Sequence, residues 1–352
     1  MPTPRLAESL LIEALAAVAE HGTVTGAAAA LGLSRSTFDS RYRRALAEHG
    51  PVPKKSPEYV VPTDLPDERL TTADLLKRRS QQFQRLSAAK EARRILDVPV
   101  MVSGPIGIAH FGDPHVDDDG TNIDALQRHV ALINRTPGLL AGNVGDYHNN
   151  WVGRLARLYG EQSTSAKDAW QLVEWLIHAC PWLYLVGGNH DAWSGTGDPL
   201  KWITKQVPTL YQPNGVRLRL TLPSGREVRI NARHDFKGHS QWNTAHGPSK
   251  AAQMGWRDHV LTCGHTHVSG YQVVRDPSTR LISHALRVGS YKTYDRYADE
   301  LGLPDQNIFV CPVTIIDPRF GEDDPRFITV LFDPEHGADY LTFLRKKKSA
   351  AA

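Results

Sequence analysis

Only three of the 352 residues are cysteine (Cys180, Cys263 and Cys311), and no Cys-x-x-Cys pair occurs. That speaks against a disulfide framework and predicts buried thiols in a reducing compartment. No apolar run approaches the length of a membrane span, and Met1 to Glu8 lacks the basic-then-apolar layout of a secretory signal. The expected location is the cytoplasm. Net charge is small, at +3, and there are no internal repeats. The charge is unevenly placed, however. Residues 1–97 carry 15 Lys+Arg against 12 Asp+Glu, while the remainder balances at 26 against 26, so the excess offers mild support for an anionic partner near the N-terminus. What is present is ordinary for a soluble globular protein: 41% hydrophobic and 22% charged residues, in a chain long enough for one large domain plus a small one.

Residues 5–49 read as three helices. Leu11, Leu15 and Val18 step by four and three, giving an apolar stripe that ends at His21-Gly22. Thr25 is placed to cap a short second helix that Gly32 stops, and Ser34 to cap a third, on which Phe38, Tyr42 and Ala45 again share a face. The two short helices joined by Leu31-Gly32-Leu33-Ser34 resemble the helix-turn-helix of bacterial regulators and transposase-like proteins. With Phe38 and Tyr42 inward, Arg35, Ser36, Ser40, Arg41, Arg43 and Arg44 are expected to face solvent and to meet the phosphates and base edges of DNA. The alternative is a module for protein contacts with a solvated arginine face.

Residues 50–70 hold Pro51, Pro53, Pro57, Pro62 and Pro66 around Lys54-Lys55, a composition that predicts a stiff linker. A basic helix follows from Thr71 to Arg94. Its Leu75, Leu76, Phe83 and Leu86 form a partly apolar side, expected to dock on the body; pairing with a second copy or lying along nucleic acid are the alternatives. The expected organisation is a helical domain over 1–49, linker and basic helix over 50–97, a main domain over 98–345 and a solvated basic tail over 346–352.

From about Val98 the pattern changes to short apolar runs alternating with helices. Ile106–Ala109 runs into Gly112-Asp113-Pro114-His115, Leu139-Leu140 into Gly145-Asp146, Leu183–Val186 into Gly188-Asn189-His190-Asp191, and Val260–Cys263 into Gly264-His265-Thr266-His267. Strand, polar loop, helix, repeated, predicts an α/β fold with its site at the carboxyl ends of the strands. Between the last two motifs, His234 ends the predicted strand Glu227–Ala232 and is preferred over His239 and His246 on that ground. Bland readings exist for each: a turn pair for Asp113 and His115, a helix cap for Asp146. His265 and His267, two apart on extended chain, point the same way. The run Asp117-Asp118-Asp119 reads as a solvated loop, and His110, His129, His178 and His284 as core or surface histidines.

This ordered set resembles the calcineurin-like metallophosphoesterases, whose pattern is D-x-H, G-D-x-x-(D/N), G-N-H-(D/E), a lone H and G-H-x-H; the resemblance covers roughly residues 104–295. The pairing with a helix-turn-helix looks like phage- or prophage-encoded phosphoesterases. The resemblance implies an αββα sandwich holding two divalent metal ions, Mn first, with Fe, Zn, Ni or Mg as alternatives. It places Asp113, His115 and His267 on one ion, Asn189, His234 and His265 on the other, and Asp146 between them. It makes His190 the proton donor to the leaving group, and implies hydrolysis by in-line attack of a metal-bound hydroxide.

Two departures from the family pattern matter. Asn149 stands where many relatives carry the aspartate that orients the histidine, and Asn150 and Ala192 stand where protein phosphatases carry arginines. The second argues against a phosphoprotein phosphatase. Arg233, Lys237 and Lys292 are further candidates for phosphate contact. The expectation is a phosphodiesterase acting on nucleic acid, with DNA as partner of the N-terminal unit. Alternatives are a small-substrate phosphatase or cyclic-nucleotide phosphodiesterase, and a DNA-binding regulator or packaging protein with a vestigial metal site.

Overall fold

The computed structural model describes residues 6–53, 59, 65, 68–192, 198–240, 242–295, 299–300, 302 and 305–349. Lys54, Lys55, Pro57, Pro62 and Pro66 of the proline-rich stretch lie outside the described residues. The chain divides between Lys77 and Arg78 into two units.

Caps and glycine stops set the helices of the first unit. α1 (Glu8–His21) ends at Gly22, which takes a left-handed φ of 70°. α2 (Val24–Ala30) is opened by Thr23, whose hydroxyl accepts the Gly26 N–H at 3.0 Å. Thr25, the expected cap, lies inside the helix, because the extended backbone a cap requires falls two residues earlier. α3 (Arg35–His49) is opened by Ser34, which accepts the Thr37 N–H at 3.2 Å. Ala14, Ala17, Ala27, Ala28 and Phe38 form one small core, and Leu11, Leu15 and Ala45 another. Tyr42 is half-buried and stacks on Phe38, with ring centroids 6.3 Å apart.

The outward face of α3 needs one correction. Arg41 turns back on α1, within 3.8 Å of Glu13, and its side chain is only 14% exposed. Intramolecular pairing and its shielded aliphatic stem outweigh the solvent position that helical periodicity assigned it. Arg35, Ser36, Ser40 and Arg43 are exposed and Arg44 half-exposed, with Arg43 paired to Asp39 and Arg44 to Glu48. α4 (Thr72–Ala92) also differs from expectation. None of its residues is buried. Leu75, Leu76, Phe83 and Leu86 remain between 47% and 71% exposed. Four apolar side chains in a 21-residue basic helix make too thin a stripe.

Among the described residues, the second unit is built on twelve strands. The first six are β1 (Leu96–Pro99), β2 (Ile106–Phe111), β3 (Leu139–Asn143), β4 (Trp182–Gly187), β5 (Tyr211–Pro213) and β6 (Gly215–Thr221). They are followed by β7 (Glu227–Arg233), β8 (Val260–Cys263), β9 (Gly270–Arg275), β10 (Ile282–Arg287), β11 (Val313–Ile316) and β12 (Ile328–Leu331). Two six-stranded sheets result, ordered β1-β6-β7-β8-β10-β9 and β12-β11-β2-β3-β4-β5. Ile106, Ile108, Tyr184 and Val186 of the second sheet pack on Val216, Leu218, Ile230 and Leu286 of the first, forming the core between them. The outer side of the second sheet is covered by α5 (Ile123–Arg135), α6 (Ala166–Ala179) and the helix Pro334–Ser349. The helix His246–Ala251 meets β8 and β10 of the first sheet. This is the αββα sandwich. Leu344 is buried and Arg345 donates to the Pro105 carbonyl at 2.7 Å, while Lys346 and Lys347 beyond them are exposed.

Strand direction positions the site. β2, β3 and β4 run parallel in one sheet, and β7, β8 and β10 in the other. Each motif found in the sequence begins where one of these strands stops.

Replacing fully buried Phe38 by Ala should cost about 3–5 kcal/mol, more than so small a core can lose. All eight tryptophans lie beyond residue 150. The expected outcome is early loss of helical circular dichroism on heating, while the tryptophan fluorescence transition stays in place.

Candidate metal centre

Two neighbouring loops exchange carboxylates. Asp191, beyond β4, accepts the backbone N–H of Gly188 at 2.7 Å, Asp146 at 3.0 Å and Tyr147 at 3.1 Å. In return, Asp146 Oδ1 accepts the N–H of His190 at 3.0 Å. The loops after β3 and β4 are thereby locked together, and the remaining Asp146 oxygen is left facing the other motifs. Burial, reinforced by the Asp146 charge, pushes Asp191 well above the usual carboxylate range, against the Gly188 and Tyr147 N–H groups and the His234 charge.

Around Asp146 Oδ2 stand His234 Nε2 at 3.2 Å, His115 Nε2 at 3.9 Å and His190 Nε2 at 4.0 Å. Two triads share this carboxylate, His115-Asp146-His190 and Asp146-His234-His265, each with its ligand-capable atoms within 4.8 Å of one another. His234 Nε2 also lies 2.7 Å from Asn189 Oδ1 and 3.0 Å from His265 Nδ1. His267 Nε2 lies 3.1 Å from His115 Nε2 and 3.7 Å from Asp113 Oδ2. The structure thus brings together Asp113, His115, Asp146, Asn189, His190, His234, His265 and His267. His239 is exposed.

The backbone is bent to achieve this. His115, Asp146, His265 and His267 all take left-handed conformations, with φ of 39°, 49°, 75° and 53°. Such values are uncommon for residues with a Cβ and gather at functional sites. Gly264 is the close-approach position: a Cβ there would sit 2.4 Å from Asp113 Oδ1. Asp113 Oδ2 in turn accepts the His265 N–H at 2.6 Å.

Hydrogen bonding tests whether the site suits a cation. His234 Nδ1 lies 3.0 Å from the Val144 carbonyl, His267 Nδ1 3.3 Å from an Asp295 oxygen, and His190 Nδ1 against the Asn149 carbonyl. Those partners only accept, so each Nδ1 carries the hydrogen and each Nε2 turns a lone pair inward. Inside, those lone pairs meet the oxygens of Asp113, Asp146 and Asn189. Acceptors facing acceptors at 2.7–4.0 Å call for a positive charge among them. Asp113 Oδ1 and His115 Nδ1 are buried without a hydrogen-bond partner. Carboxylate, imidazole and amide donors suit borderline divalent metals, so the donor set fits.

Without a metal, protons take that place. Burial opposes it, but Asp146 and Asp113 raise His234 to about 10. Burial would raise Asp146, yet the charge and hydrogen bond of His234, with His190 and His115, hold it far below the usual carboxylate range. Burial, opposed by His234 and reinforced by Asp146, pushes Asp113 up to about 6. Burial, aided by the neighbouring His267 and His190, drives His115 well down. Burial also lowers His190, against the pull of Asp146.

Several details differ from the sequence reading. The Asn149 side chain does not address His190; its backbone carbonyl does, while Nδ2 donates to Asp118 at 2.8 Å and to Gln162 at 3.1 Å. An orienting carboxylate is thus replaced by a peptide oxygen. The run Asp117–Asp119 is not a solvated loop. Asp117 is buried and accepts the Asn149 N–H at 2.8 Å, Asp118 pairs with Lys292, and Asp119 holds Ser163. Lys292 pairs with Asp118 and Asp295, each at 3.0 Å, and Arg233 lies over the Trp256 ring at 4.8 Å.

Two supports carried no mark in the sequence. Arg287 is fully buried and donates to the Thr244 carbonyl at 3.0 Å, the Gly264 carbonyl at 2.9 Å and Thr266 Oγ1 at 3.0 Å, bracing the loop of His265 and His267. His148 is also buried, 4.3 Å from the Trp170 ring centroid, with Nε2 4.0 Å from Asp191. The three cysteines are buried and free, and no helix among the described residues is long and apolar enough to cross a membrane.

No protein-family model and no curated protein matches the chain. Among solved structures, it is similar to the calcineurin-like phosphoesterase YfkN from Bacillus subtilis, at 12% identity and a TM-score of 0.37, over 70% of this chain and 97% of that one. It is similar to the NAD nucleotidase NadN of Haemophilus influenzae at 12% identity and a TM-score of 0.36, over 64% of this chain and 49% of that one. A third is nuclease MPE of Pseudomonas putida, at 13% identity and a TM-score of 0.30, over 68% and 89%. Likenesses this low in identity and score assign no activity.

The raised His234 has a consequence for the metal-stripped protein. Its folded pKa of about 10 exceeds the ordinary 6.5, so its stabilising contribution is complete below about 6.5 and is lost as pH rises towards 10. Thermal melts in chelator should therefore show a melting temperature that falls from pH 7 to 9.5. With excess Mn the fall should be smaller, because the metal displaces that proton.

Proposed function

We propose that this chain is a metal-dependent phosphoesterase of the calcineurin-like kind, with two divalent cations as cofactors. The observation that carries the reading is the Asp146 carboxylate, on which two clusters of side chains converge, His115 with His190 and His234 with His265. Asp113, His115 and His267 would hold one cation and Asn189, His234 and His265 the other, with Asp146 placed to serve both. When bound, the pair supplies a Lewis-acid field that polarises a phosphoester and makes water acidic at neutral pH. The chain's residues do the rest. His190, fixed at Nδ1 by the Asn149 carbonyl, presents Nε2 to the centre; in its doubly protonated form it passes the Nε2 proton to the leaving oxygen and is left neutral, with its one hydrogen on Nδ1. Trp151 stands against the His190 ring, with centroids 5.4 Å apart. It also lines a cavity of about 330 Å³ with Leu158, Lys292 and Tyr294, which offers room for the organic substituent of the ester.

A diester is favoured over a monoester. Asn150 and Ala192 offer no cationic grip for a dianion, and the Lys292 ammonium is shared between two carboxylates. The nucleic-acid substrate rests on the pairing of this body with the N-terminal helices. There α3 exposes Arg35, Ser36, Ser40 and Arg43, a helix-turn-helix face for DNA phosphates.

The full chain should turn over bis-p-nitrophenyl phosphate with Mn, and lose that activity in chelator and in Asp146→Asn. No turnover with any divalent metal would instead leave a vestigial site. The double variant Arg35→Glu/Arg43→Glu should weaken binding of labelled DNA and flatten its salt dependence by about two charges, while leaving turnover of the small diester unchanged. DNA binding that ignores the substitutions would assign the N-terminal unit another task.

A further inference from the structure

We infer that Lys292 is a positioning residue that couples the ligand His267 to the proton donor His190; the inference rests on the two-cation reading above. The contacts form an unbroken chain behind the centre. His267 turns Nδ1 to Asp295 at 3.3 Å, and Asp295 takes the Lys292 ammonium at 3.0 Å. The same ammonium meets Asp118 at 3.0 Å. Asp118 accepts from Asn149 Nδ2 at 2.8 Å, and the Asn149 carbonyl holds His190 Nδ1. One end thus fixes a candidate ligand and the other a candidate acid.

Backbone pairing puts Lys292 there. Thr121 and Lys292 form an antiparallel bridge, Asn122 donates to the Tyr291 carbonyl at 2.8 Å, and Lys292 N–H reaches Ser290 Oγ at 3.0 Å. The residue is only 7% exposed, and its Nζ lies 5.7 Å from the centroid of the Trp151 ring. A buried ammonium between two carboxylates is held by both, and each carboxylate is held by it. A carboxylate behind a metal-binding histidine sets the ring's tautomer and direction, and loss of such a partner typically weakens metal affinity by 10- to 100-fold. The two arms act on different quantities. The Asp295 arm aims a ligand, so it governs metal affinity. The Asp118 arm steadies the peptide that aims the acid, so it governs turnover once metal is bound.

The two arms can be tested separately in the full chain, using Mn titration by calorimetry and kinetics on bis-p-nitrophenyl phosphate. Asp295→Asn, close in shape, should weaken Mn binding by about 10-fold or more, with kcat largely recovered at saturating Mn. Asp118→Asn should leave Mn affinity unchanged and lower kcat at saturating Mn by about 10-fold, part of what an aligned acid contributes. Lys292→Met should show both defects. General loosening of the fold would not divide affinity from kcat in this way. If both asparagine variants match the wild-type chain in Mn binding and in kcat, the coupling is overturned while the two-cation reading stands. If the wild-type chain binds no divalent metal, both fall together.

Discussion

The centre depends on two carboxylates that trade places across neighbouring loops. Asp191 gathers two peptide N–H groups from the turn that carries Asp146 and one from its own turn, and Asp146 accepts one from the turn that carries His190. Buried carboxylates need such donors. Satisfying them this way costs the loops their independence, and β3 and β4 deliver one rigid unit rather than two. Against that unit the other sheet delivers His234 from the end of β7 and the pair His265 and His267 from the end of β8. Because the two sheets pack face to face, their parallel segments present these ends to one another.

Electrostatics at the centre follows from the outer hydrogen bonds. The hydrogens on His234, His190 and His267 are committed to acceptors outside the ring of ligands, so the inner nitrogens bring lone pairs to a place already holding oxygens. With no cation there, such an arrangement would draw protons instead. One geometry thus explains the raised His234, the depressed Asp146 and the partnerless atoms of Asp113 and His115.

Much of this was readable before any coordinates, for a physical reason. A short apolar strand followed by glycine and polar residues is a local signal, and in a parallel sheet all such ends lie on one side. The strand ends at β2, β3, β4, β7 and β8 follow from it, whereas the sandwich and the gathering of eight side chains were implied by the family resemblance. What was not readable depends on distance along the chain. Arg287 braces a loop some twenty residues before it, and Lys292 meets Asp118 only because a bridge at Thr121 aligns two remote segments. No spacing rule marks such pairs. Local misreadings have local causes. Thr23 competed with Thr25 for one capping position, Arg41 found Glu13, and the Asn149 side chain turned to Asp118 and Gln162 while its peptide oxygen took the histidine.

The left-handed turns at His115, Asp146, His265 and His267 set a limit on what this scaffold can become. Each such residue costs about 1–3 kcal/mol relative to relaxed backbone, a load carried whether or not an ion is bound. A descendant released from the need to hold metal would gain from glycine or asparagine at these positions. Stability and the candidate centre therefore pull these four positions in opposite directions.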